Sequence, residues 1–254
     1  MARATPARDA VSSREAGGWK YRLQYSNNRK NIGSMNKRQT KDLLYEQVAR
    51  IGKAVSSPKR LELLELLAQG EKTVEVLATE ASLDIKLASA HLKVLKAARL
   101  VETQRDGRFI VYRLSGEDVS ALWVSLRTVA EEHLIELKVA MDRIFSGPEK
   151  LDTETRRSLM EKARRGDVVV IDVRPSAEFA NGHLPFARSM PLDEIRQRIK
   201  ELPADKDVVA YCRGPFCMMS AEAVALLKEH GYRAQKIADG IPEWQAAGLP
   251  LAEP

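Results

Sequence analysis

Cysteine is scarce in this chain, with two thiols, Cys212 and Cys217, among 254 residues. So few exclude a disulfide framework, and a bond between these two would serve chemistry or sensing rather than tie a fold together. Long apolar runs are missing as well. Nothing approaches the roughly 20 consecutive apolar residues that a bilayer core demands, and no secretory h-region is visible near the start. These absences predict a cytoplasmic protein with no membrane partner. What is present is a globular composition, 44% hydrophobic and 30% charged, long enough for one or two domains with separate cores.

The net charge of +6 is unevenly spread. Residues 1–34 and residues 35–115 each carry a net +5, residues 116–148 carry −3 and residues 149–254 carry −1. A basic first half predicts a polyanionic partner, and the half that holds the thiols is nearly neutral.

Residues 1–40 are rich in Arg, Ser, Asn and Gly without sustained apolar period, and are expected to be a disordered basic tail. Met35, where helical period begins, is one candidate for the natural start; the other reading of the tail is an arm that adds phosphate contacts. From there on the punctuation is regular. Ser57-Pro58 opens a helix over 59–68 that Gly70 ends, and Thr73 caps a helix over 74–80. Asp84 caps a third helix over 85–98, with Ile85, Ala88, Leu92 and Leu95 at buried spacing and Lys86, Ser89, Ala90, His91 and Lys93 on the other face. Two short helices joined by a four-residue turn, the second with a small and basic outer face, predict a helix-turn-helix. Two strands then flank Arg105-Asp106-Gly107-Arg108, and Asp-Gly is a strong hairpin signal. That puts Arg105 and Arg108 at a wing tip, within reach of phosphate or the minor groove.

The stretch SAHLKVLKAARLV (Ser89–Val101) resembles the recognition-helix signature of the ArsR/SmtB family of dimeric winged-helix repressors, and the likeness extends over about residues 41–145. It implies operator DNA as a partner, read by Lys86, Ser89, Ala90, His91, Lys93, Arg105 and Arg108. It also implies a homodimer through a long helix, expected over 117–145, whose Val119, Leu122, Leu126, Val129, Leu137, Met141 and Ile144 form a stripe that needs covering. Members that sense soft metals carry cysteines in the helix before the recognition helix; TVEVLATEA here has none. His133 and Glu136 could be half of a family-type zinc site, but Ser120 and Leu122 stand where the other ligands belong, so no metal site is expected.

Past the breaker Ser146-Gly147-Pro148, strands and helices alternate as in a parallel α/β sheet. Within it, VVAYCRGPFCMMS (Val208–Ser220) reads as strand, tight loop and helix, with Cys212 at the strand end facing loop amides and a helix N-terminus. Such surroundings favour an anionic sulfur, and the Gly-Pro loop with Arg213 argues for an accessible rather than a buried thiol. IDVRPSAEFANGHLPFARSMPL (Ile171–Leu192), the Cys212 loop, and ADGIPEWQAAGLPL (Ala238–Leu251) together resemble one rhodanese domain.

That resemblance implies that Cys212 accepts a sulfane sulfur as a persulfide and that Asp172, Arg174, Glu178 and His183 brace the fold. Arg213 is expected to attract an anionic donor. The loop departs from pattern in two places. Pro215 removes one possible amide donor, and Cys217 could attack a persulfide on Cys212, a reaction that suits a sensor better than a turnover enzyme. The phosphatase variant of the fold is disfavoured, because Met218 stands where its arginine would be.

The chain thus reads as an α+β winged helix-turn-helix domain (residues 41–147) followed by an α/β rhodanese-like domain with a parallel sheet (residues 150–254). The expected function is a DNA-binding repressor whose Cys212, Arg213 and Cys217 carry or sense reactive sulfur or another thiol-reactive small molecule, with no cofactor. Two alternatives stay open: a sulfurtransferase with an accessory winged helix, and a metalloid sensor using both thiols. On either regulatory reading, a signal would have to cross the linker near Pro148.

Overall fold

A computed structural model describes residues 35–145 and 153–252. By contacts the chain separates into residues 1–47 and 48–254. Residues 1–34, 146–152 and 253–254, with most of the expected tail and the Ser146–Pro148 linker, lie outside the described residues; the expected tail extends too far, since Lys37–Thr40 already belong to a helix that runs to Val55. Among the described residues no helix is long and apolar enough to cross a membrane.

The first fold has helices α1 (Lys37–Val55), α2 (Pro58–Leu67), α3 (Val74–Glu80) and α4 (Ile85–Ala97) with a small antiparallel sheet. Its strands β1 (Lys72–Thr73), β2 (Val101–Asp106) and β3 (Phe109–Leu114) pair in the order β1-β3-β2. Both expected caps form: the Thr73 side chain accepts from the Val76 N–H, and the Asp84 carboxylate accepts from the Leu87 N–H at 2.9 Å. Leu63, Leu64, Leu67, Leu77, Leu92, Leu95 and Tyr112 fill the core. Ile85 does not join it. That side chain is 54% exposed, because the first turn of α4 runs out past the core that Ala88, Leu92 and Leu95 reach. The hairpin is longer than expected: β2 runs to Asp106, which pairs with Phe109, leaving Gly107 and Arg108 as the turn, with Gly107 at φ +56°.

The expected single closing helix is two. Helix α5 (Glu117–His133) and helix α6 (Ile135–Ile144) meet at Leu134, which is extended at φ −100°, ψ 103°. Its N–H donates to Ala130 O and its carbonyl accepts from Leu137 and Lys138, so the ladder re-pairs across the break. No proline or glycine marks the spot, and the apolar period runs straight through it.

The second fold is a four-stranded parallel sheet in the order β5-β4-β6-β7, from β4 (Val168–Asp172), β5 (Arg188–Ser189), β6 (Asp207–Tyr211) and β7 (Ala234–Lys236). Alternate residues serve opposite faces. Ile171, Val208 and Ala210 join Ala223 and Leu227 of α10 (Met219–Glu229) on one side. Val170, Val209 and Tyr211 meet Trp244 of α11 (Ile241–Ala246) and Leu159 of α7 (Thr153–Arg165) on the other. The helix expected over 192–202 is shorter, α9 (Ile195–Arg198) running into a 3-10 turn, and α8 (Ser176–Ala180) follows β4.

Candidate functional site

Strand β6 delivers Cys212 to the carboxyl end of the parallel sheet, the edge where such folds gather their chemistry. The Cys212 sulfur lies 3.3 Å from Ser220 Oγ, 3.6 Å from the Cys217 carbonyl and 4.0 Å from the Gly214 carbonyl. Both thiols are free. The expectation of an open loop fails: Cys212 is 1% exposed, and Gly214 and Pro215 are buried beside it. Gly240 makes the close fit possible, since a Cβ there would strike the Arg213 carbonyl group and the Cys212 oxygen.

Burial works against ionising Cys212. Hydrogen bonds from the Cys217 thiol, the Ser220 side chain and the Ser220 and Gly214 backbone overcome it and hold this thiol well below the usual range. Cys217 goes the other way, its proton kept by the hydrogen bond to Cys212 and by burial. Of the two thiols, Cys212 is therefore the more readily ionised.

What closes the loop is the winged-helix fold. The Arg213 guanidinium meets Glu178 of α8 at 2.5–3.1 Å and Glu80, the last residue of α3, at 2.9 Å. Lys72 of β1 bonds the same two carboxylates, Glu178 at 2.7 Å and Glu80 at 3.3 Å. Burial opposes the charge on Glu178, but Arg213 and Lys72 hold its carboxyl below the ordinary range. Arg213 is thus occupied by Glu178 and Glu80, not open to an anionic donor as expected.

Beside this pair, Arg174 binds Asp172 at 2.6–3.1 Å, donates to Gly182 O, and reaches Gln69 Oε1 at 3.0 Å. Gln69 in turn donates to the Arg213 carbonyl at 3.2 Å. So Arg174 and Glu178 do more than brace the sheet, since both reach the winged helix, while Asp172 holds Arg174 and Tyr211 within its own fold. His183 stays local, stacked on Phe179 and hydrogen-bonded to its carbonyl.

A third contact comes from α5. Arg127 ion-pairs with Glu131 at 3.1 Å and with Glu243 of α11 at 2.7 Å, and its guanidinium stands 5.8 Å from the rings of Phe216 and Trp123. Those rings meet edge to face at 6.1 Å. Gly214, at φ +147°, leaves room for the Glu243 carboxylate, which a Cβ would approach to 3.2 Å. Glu65 of α2 lies in the same buried charge cluster, and burial pushes its carboxyl up to about 7.

The predicted DNA residues form a separate, open face. Lys86, Ala90 and Lys93 are exposed and Ser89 and His91 half-buried on α4, and Arg105 and Arg108 are exposed at the hairpin end. Arg105 donates to Gly107 O at 3.1 Å and Arg108 rests over the Phe109 ring, and among the described residues no carboxylate ion-pairs with either. Sequence reasoning missed Ser220, Glu65, Gln69, Lys72, Glu80, Arg127 and Glu243. Ser220 could have been found from its place in the first turn after the loop. The others meet the thiol loop only through the tertiary fold.

Residues 155–247 match the model of the rhodanese-like domain, and residues 57–103 match that of bacterial regulatory proteins of the arsR family. The HTH-type transcriptional regulator Rv0324 of Mycobacterium tuberculosis is 43% identical over 213 residues, 84% of this chain and 93% of that protein. A sulfurtransferase of Allochromatium vinosum is 40% identical over 89 residues, 35% of this chain and 81% of that protein. A winged helix-turn-helix DNA-binding domain from Mycobacterium bovis, solved as a homodimer, shares 46% identity over 39% of this chain and 91% of that one, with a TM-score of 0.37. With a relative so similar along nearly its whole length, and both folds matched in order, the chain belongs to the arsR family of bacterial transcriptional regulators and carries a rhodanese-like domain after its winged helix.

Proposed function

We propose that the protein is a homodimeric repressor that binds operator DNA through α4 and the hairpin and reads reactive sulfur at Cys212 and Cys217. The observation that carries this is the placing of both free thiols, with Ser220 Oγ 3.3 Å from the Cys212 sulfur, in one loop whose Arg213 grips Glu80 of the winged helix. Lys86, Ser89, Ala90, His91 and Lys93 supply the major-groove face, and Arg105 and Arg108 the flanking phosphate contacts. Leu122, Leu126, Val129, Ile135, Val139 and Ile144 are exposed along α5 and α6, an apolar face suited to a second copy.

The sulfur chemistry runs in two steps. The Cys212 thiolate attacks the outer sulfur of a hydropersulfide RS–SH; a new S–S bond forms, the donor's S–S bond breaks, and RS⁻ leaves with the electron pair. Once Cys212 carries the added sulfur, Cys217 gives up its proton and its thiolate attacks the Cys212 sulfur; the terminal sulfur leaves with the electron pair, takes up that proton to depart as hydrogen sulfide, and the two cysteines end as a disulfide. To test this, a DNA fragment selected from a random pool by the full-length protein is titrated before and after treatment with glutathione hydropersulfide. Affinity should change about 5- to 150-fold in the wild type and not in Cys212→Ser. Identical affinity in all four titrations removes the sensing role and leaves DNA binding standing.

A second reading is a working sulfurtransferase, favoured by the 40% identity over 89 residues to the Allochromatium sulfurtransferase and by the lowered pKa of the Cys212 thiol. Continuous turnover of sulfane sulfur to an added thiol acceptor, with no DNA selected from the pool, would establish it.

A further inference from the structure

The thiol loop meets the winged helix at three places independent of the chain between the folds. Arg213, next to the nucleophile, ion-pairs with Glu80 at the end of α3. Phe216, next to the second thiol, packs on Trp123 and Arg127 of α5. The Arg213 carbonyl accepts from Gln69, just beyond α2. Of these elements, α2 and α3 pack directly against α4, the helix proposed to read DNA, and α5 packs on α2 and β3.

We infer that residues Arg213–Phe216 form a latch that holds α3 and α5 in place, and that a sulfur atom added at Cys212 opens it. The inference rests on the sulfur-sensing reading and gives that reading its physical route, which runs through this contact rather than through the linker.

The geometry leaves the unmodified loop no slack. Cys212 is 1% exposed, with the Gly214 and Cys217 carbonyls and the Ser220 hydroxyl within 4.0 Å of its sulfur. A second sulfur is bonded at about 2.05 Å, so it would land among those atoms. Close-packed interiors switch between discrete arrangements rather than deform smoothly, so the segment from 213 to 217 has to move as a piece. Gly214 is wedged beside the Glu243 carboxylate and the Arg127 guanidinium, which ties its displacement to the α5 contact. The disulfide acts in the same direction, because it draws Cys217, and with it the adjoining Phe216, toward Cys212. There is space to move into. A cavity of about 440 Å³ lined by Arg127, Glu131, Pro215, Asp239 and Glu243 adjoins the loop.

Hydrogen exchange of the full-length protein tests the latch without DNA. On treatment with glutathione hydropersulfide, with loading of Cys212 verified by mass, amides of residues 74–80 and 117–131 should exchange about tenfold faster in wild type and unchanged in Cys212→Ser. Phe216→Ala and Glu80→Gln should show the faster exchange before any treatment and gain little from it. Loaded wild type with unchanged exchange in both segments overturns the latch, even if DNA affinity responds. Faster exchange with unaltered DNA affinity keeps the latch and overturns the sensing role. Variants that match untreated wild type and respond fully also overturn the latch.

Discussion

The face of α4 and the thiol loop solve opposite problems with the same residue types. Lys86, Lys93, Arg105 and Arg108 are exposed cations without a carboxylate partner among the described ion pairs, so meeting a phosphate costs them little rearrangement. Around the loop, Lys72, Arg127, Arg174 and Arg213 are each buried or nearly so and each held by carboxylates. A cation that must recognise is left in water; one that must hold a position is desolvated and paired, where removing one partner strands the other. The contrast predicts that the loop is where stability is lost by mutation and the α4 face is where affinity is lost.

Arg174→Ala should give the largest effect. It leaves Asp172 buried without its main counter-ion and Gln69 and the Gly182 carbonyl without a donor, at a cost of about 3–5 kcal/mol. A fall of that size in urea stability is expected, and a change under about 1 kcal/mol would mean the buried network is not what holds this end of the sheet.

Glu65 gives the next, with a pH signature. Its carboxyl is raised from 4.5 to about 7, mainly by burial, so the folded protein binds a proton the unfolded chain releases. The sign follows: stability falls as pH rises from about 4.5 to 7, and above that the folded and unfolded forms are both ionised and the penalty is complete. Glu65→Gln removes the penalty. The variant should match wild type near pH 4.5 and exceed it above pH 7, with a ceiling of about 3 kcal/mol. A gap that shrinks with rising pH would contradict the buried-carboxyl account.

How much of this was legible in advance divides along the same line. The helix-turn-helix, its two caps, the hairpin and the Cys212 strand-loop-helix all follow from local spacing, and the structure has them. Exposure was misread in both directions, for Ile85 and for Cys212, because burial is decided by what docks from elsewhere. Glu80 and Arg213 are 133 residues apart and Gln69 and Arg174 are 105 apart, and no local pattern announces such pairs. The break at Leu134 lay hidden for a different reason, since a leucine in an unbroken apolar period gives no stop signal.

Ser220→Ala should have a smaller and confined effect. The hydroxyl lies 3.3 Å from the Cys212 sulfur and lowers its pKa, so removing it should raise the pH midpoint of thiol alkylation by about one unit, the value of a hydrogen bond to a charged group. Stability should change far less than in Arg174→Ala. An unmoved midpoint would assign the low pKa to Cys217 and the backbone alone.

Lys93→Ala should leave stability within about 0.5 kcal/mol, the smallest effect of the set, because nothing in the fold leans on an exposed lysine opposite the core face of α4. Its consequence belongs to binding. If the ammonium meets a phosphate, the slope of log affinity against log salt should fall by about 1, with weakening shared by all DNA sequences; if it meets a base edge, the loss should be specific to one position. A lysine whose removal changes neither slope nor sequence preference lies outside the interface, and the reading face would then have to shift toward Arg105 and Arg108.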